Sequence, residues 1–225
     1  MGHGMGLTDE MRYLLLVSLF GFSGVILTWA LNIVFVYLAN EIVVSLGAVG
    51  RLIPGLADHL VTLVSGSLWG FFLFLGVSQA RGKRQKTHSS QFTLCSLSLG
   101  FSLLGASAII ELLAMILPGL VDVVGHILHG ALLGCLYGAF LAQILRLNVW
   151  HMFVPLLSVG GAVGALAVNV LQDVPMSSQG TVEMYIAQYA FTSQGFVLGL
   201  FAGYAFFLCD MHIGILRHAR WMPED

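Results

Sequence analysis

Ile53-Pro54-Gly55-Leu56-Ala57-Asp58 recurs 64 residues further on as Leu117-Pro118-Gly119-Leu120-Val121-Asp122. In each copy the Pro-Gly pair interrupts the chain, and an Asp stands at the head of a long apolar run. Asp in the first turn of a helix is favoured by the unpaired backbone N–H groups and by the helix dipole. Both hexapeptides therefore read as a tight connection followed by a helix start. Behind them, Gly66 and Gly70 stand at the same spacing as Gly130 and Gly134.

The glycines extend the pattern to a third copy. Gly130 and Gly134 continue to Gly138, and Gly195, Gly199 and Gly203 repeat the spacing 65 residues beyond Gly130. A spacing of four puts each set on one face of a helix. Small residues on such a face let another backbone approach closely. That is how helices associate in lipid, where no hydrophobic effect drives them together. The intervening helices each carry one amide or acid about two-thirds of the way along: Asn32, Glu111 and Asn169. We read three two-helix hairpins, about 13–79, 91–145 and 152–209, repeated in parallel orientation. A tail, 210–225, follows. All belong to one membrane domain spanning residues 1–225.

Composition agrees with this reading. The 225 residues are 58% hydrophobic and only 9% charged, with mean hydropathy +0.92. A soluble domain carries roughly 25% charged residues, so this chain cannot cover itself with polar surface and takes the lipid bilayer as its solvent. A net charge of −2 argues against a nucleic-acid partner. Cys95, Cys135 and Cys209 have no C-x-x-C spacing and read as buried small residues. The acidic N-terminal stretch lacks the basic flank of a signal peptide.

Six runs meet the ~20 apolar residues that a spanning helix needs: Tyr13–Ala39, His59–Gln79, Gln91–Leu117, Gly119–Leu145, Met152–Gln172 and Met184–Cys209. No period-2 alternation supports a barrel. The fold class expected is all-α, a polytopic bundle of six transmembrane helices. Residues 40–58 are too short to span and suggest an interfacial or partly re-entrant segment.

Basic residues set the orientation. Arg81, Lys83, Arg84 and Lys86 crowd the second loop, Arg146 lies in the fourth, and Arg217 and Arg220 lie in the tail. These segments share one side with the N-terminus. The expectation is a multi-pass protein of a bacterial-type inner membrane with both termini in the cytoplasm.

Ionisable residues at membrane depth are expensive and mark candidate sites. Glu111 lies six residues before Leu117, about 9 Å of helix rise from the end. Asp122, His126 and His129 share one helix face and form the candidate metal half-site. The repeat suggests a second arrangement. His129 aligns with Ser65 and Gln194, each directly before the first glycine of its stripe. With Glu111, Asn32 and Asn169, these residues describe a polar centre shared by the three hairpins. The expectation is that Glu111 approaches His129 from a neighbouring helix.

Three roles fit. The first is transport of an ion or small solute past this centre. The second is a non-catalytic subunit of a larger membrane complex or a homo-oligomer, held by the glycine faces. The third is a redox or enzyme subunit binding a metal or haem. No catalytic set and no cofactor motif is visible in the chain.

Overall fold

The computed structural model describes residues 7–47, 50, 55–81, 89–117, 123–145, 150–172 and 181–219. These residues are all-helical: α1 (Leu7–Ser45), α2 (Leu56–Arg81), α3 (Ser89–Ile116), α4 (Val123–Ile144), α5 (Trp150–Gln172) and α6 (Thr181–Ala219). All six are long and apolar enough to cross a membrane. The second PG-containing connection, with Asp122, lies outside the described residues.

Two helices outrun their apolar stretches. α1 continues through Asn40 and Glu41 to Ser45 and stops in a turn at Gly47, whose φ of 58° suits glycine. The first part of the expected interfacial segment is thus the end of a spanning helix. Gly55, at φ 69°, makes the turn into α2. α6 does not stop at Cys209 but runs to Ala219, so the stretch from Asp210 onward begins as helix.

Each helix packs against the next in chain order, and α6 closes on α1. The result is a ring. Hydroxyls inside the helices donate back to their own chain, as Ser18 does to Leu14 O, Ser67 to Leu63 O and Ser102 to Ser98 O. Such bonds satisfy a polar group where no water reaches.

The glycines of the three stripes sit at three of the six seams. A Cβ on Gly66 would lie 2.7 Å from Gly100 Cα, where α2 meets α3. Gly130 faces the carbonyl of Gly161, and Gly134 that of Leu157, where α4 meets α5. Gly195 meets Gly21, Gly199 meets Ser18 and Gly203 meets Tyr13, where α6 meets α1. At each of these positions a side chain would overlap backbone.

One half of the ring is filled solid. Tyr137, Phe74, Phe153, Phe206, Leu73, Leu141 and Leu157 are all fully buried there. Phe74 meets Phe92 and Phe206 edge to face, and Phe153 meets Phe206 in the same way. This geometry suits the ring quadrupoles.

An ion pair lies at the same end. Arg81 donates from both Nε and a terminal nitrogen to Asp210, at 2.8 Å each, and both side chains are buried. Tyr13 Oη donates to the same carboxylate at 2.6 Å, and the guanidinium lies 5.4 Å from the Phe206 ring centroid. Three helices, α1, α2 and α6, are tied by one carboxylate.

Candidate functional site

The other half of the ring is hollow. There α2, α4 and α6 run inward from their N-terminal ends, while α1, α3 and α5 run toward their C-terminal ends. Between them lies a cavity of about 670 Å³. All six helices contribute lining: α1 gives Thr28, Trp29 and Asn32, α2 gives Thr62, Ser65 and Trp69, and α4 gives His126 and His129. Leu103 of α3, Ala165 and Val168 of α5 and Gln194 of α6 also line it. The lining holds no Asp, Glu, Lys or Arg among the described residues.

Ser65, His129 and Gln194 therefore share one space. The glycine registers explain why. Each residue directly precedes a glycine that faces the seam, and the ~100° step between successive helical residues turns it off the seam. Asn32 also lines the cavity.

Asn169 lies behind the lining, buried, and holds a histidine. Its Nδ2 donates to Ala165 O at 3.1 Å, which leaves its Oδ1 facing His126 Nδ1 at 3.1 Å. That contact is a hydrogen bond only with the proton on Nδ1, so a neutral His126 offers Nε2 as an acceptor.

His129 finds its partner on α3. The neighbour is Ser107, whose Oγ lies 3.2 Å from His129 Nε2. Glu111, one helical turn further along, is exposed and does not line the cavity. Ser107 and Glu111 are four residues apart and share a helix face, so Glu111 falls about 6 Å of helix rise beyond the level at which His129 meets α3.

No group of three or more His, Cys, Asp or Glu side chains with metal-binding proximity occurs among the described residues. Asp122, the third member of the candidate metal half-site, is not among them. The three cysteines are free.

Two features of this interior carry no weight in the sequence. Trp69 is 7% exposed and lines the cavity, yet its Nε1 is buried with no hydrogen-bond partner among the described residues. A tryptophan in mid-helix carries no signal of which way it faces. The Arg81–Asp210–Tyr13 cluster is hidden because Arg81 resembles one more charge of a basic loop, and Asp210 follows the last apolar run.

Comparison with protein families, with characterised proteins and with solved structures finds no match to this chain.

Proposed function

We propose that this protein is a membrane carrier for a small uncharged solute, which occupies the cavity at the centre of the six-helix ring. The observation that carries the reading is the cavity itself, lined from all six helices in one half of the ring and closed off by the aromatic layer and the Arg81–Asp210 pair in the other. Its size and its mostly apolar lining with a few polar groups match small-molecule sites generally. An ion would meet no opposite fixed charge there, and leaving water without one is costly. An uncharged solute escapes that penalty.

The ring is read as three hairpins, α1–α2, α3–α4 and α5–α6, descended from one unit. Support comes from the seams between hairpins, where the first glycine of each stripe meets a glycine: Gly66 with Gly100, Gly130 with Gly161 and Gly195 with Gly21. The basic bias of the 82–88 and 146–149 connections and the tail supports cytoplasmic termini in a bacterial-type inner membrane. The cavity then opens away from the cytoplasm.

Osmotic swelling of proteoliposomes tests the transport reading. Vesicles holding the protein are mixed with a series of small neutral solutes, and with potassium and sodium salts. Faster swelling with one or more neutral solutes, abolished by Gln194→Trp, is expected. Salt-driven swelling or ion currents without any neutral flux would contradict it.

A further inference from the structure

The cavity is lined by hydrogen-bonding groups that the fold leaves unused. Asn32, Thr62, Ser65 and Gln194 all line it, and their side chains make no hydrogen bond among the described residues. Thr28 by contrast is spent: its hydroxyl lies 2.8 Å from Gly24 O and 3.4 Å from Ser65 O. The Trp69 N–H is the most costly of the unused groups. A buried donor with no acceptor loses its hydration without compensation, and nearly every such group in a folded protein is paired. The remaining lining is apolar and includes Val25, Val61, Leu103 and Leu133.

From this we infer that the cavity is a binding site for a neutral, ring-bearing molecule with a carbonyl-type oxygen, and that the Trp69 indole N–H is its anchoring donor. The inference rests on the solute-binding reading above and names the class of solute. The apolar walls take the ring body. Trp69 lines this space while its Nε1 is shut off from water, so the indole turns to bring Nε1 to the oxygen and makes the hydrogen bond that folding leaves unmade. The amides of Asn32 and Gln194 and the hydroxyls of Thr62 and Ser65 supply further donors around the same space. A carboxylate in place of the carbonyl would find no Lys or Arg in the described lining, only the imidazoles of His126 and His129, and a bare hydrocarbon would leave every donor unpaired. The site therefore selects against both.

Three probes with one ring body separate these cases: 9-fluorenone, fluorene and fluorene-9-carboxylate. The full chain is placed in lipid nanodiscs, with Trp150 and Trp221 changed to Phe and Trp29 of the lining left in place, and the Trp69 indole N–H resonance is assigned by its loss in Trp69→Phe. Fluorenone is expected to move that resonance downfield and saturably, at one equivalent per chain. Fluorene and the carboxylate are expected to leave it in place. In the otherwise native chain, Trp69→Phe keeps an aromatic ring and removes the N–H. It should weaken fluorenone binding about five-fold, the loss of one neutral hydrogen bond. Equal binding of fluorene, preference for the carboxylate, or no saturable shift with any probe would overturn the inference. Binding is read without flux, so its failure is distinct from failure of the transport reading: solute flux with no fluorenone binding rejects the ligand class alone, and fluorenone binding with no flux rejects transport alone.

Discussion

Asp210 ties three helices together. Its two oxygens take a bidentate guanidinium and a phenol at once, from α2 and α1, while its own backbone belongs to α6. A buried ion pair returns little net stability against apolar replacements, because both charges must leave water. Removing one partner is a different matter, since it strands the other charge. Asp210→Asn should lower stability in detergent by about 3–5 kcal/mol, whereas Tyr13→Phe, which removes one hydrogen bond to a carboxylate that keeps its guanidinium, should cost about 1.5–3 kcal/mol. The double variant Arg81→Met with Asp210→Leu should regain most of what Asp210→Asn loses. Denaturant titration of the native chain and the three variants gives the comparison, and a double variant no better than Asp210→Asn would show that the charges themselves are required. None of this was legible in the chain, where Arg81 heads a run of basic residues and Asp210 opens a tail that carries Arg217, His218 and Arg220.

Between elements, the seams depend on the absence of side chains. At Gly134 a Cβ would overlap the backbone carbonyl of Leu157, which cannot withdraw without moving α5. At Gly105 the only neighbour of an added Cβ is the Cδ1 of Leu136, 3.1 Å away, and a leucine tip can turn aside. Gly134→Ala should therefore cost about 1–3 kcal/mol, and Gly105→Ala should be close to neutral or stabilising through the unfolded state. Thermal unfolding in detergent distinguishes them, and equal midpoints would mean that the α4–α5 seam yields readily. The stripes were readable because a spacing of four survives in any helix. The six spans were readable because a run of ~20 apolar residues has the length that crossing a bilayer demands. Element ends were less readable. α1 passes Asn40 and Glu41 without stopping, since a polar residue near the bilayer surface costs a helix little, and only Gly47 ends it.

At the scale of the molecule, six helices in a ring enclose a space unless side chains fill the middle. One half fills it with Phe74, Phe153, Phe206 and Tyr137, and the other half leaves about 670 Å³ open. Sequence spacing brought Ser65, His129 and Gln194 into one argument because all three precede a stripe glycine. It misjudged the approach from α3, where Ser107 and not Glu111 faces His129. It also passed over Trp69, whose bearing only the packed structure reveals. The decisive test is solvent access along the ring. Cys95, Cys135 and Cys209 are first replaced by alanine, and single cysteines are introduced at Ser65 and Gln194 in the cavity, at Phe153 and Ala205 in the packed half, and at Ser89. A small charged methanethiosulfonate is then added outside intact cells. Ser65→Cys and Gln194→Cys should react while Phe153→Cys, Ala205→Cys and Ser89→Cys stay protected. Unreactive cysteines at both cavity positions from either side of the membrane, or labelling in the packed half at the same rate, would contradict a water-accessible central site.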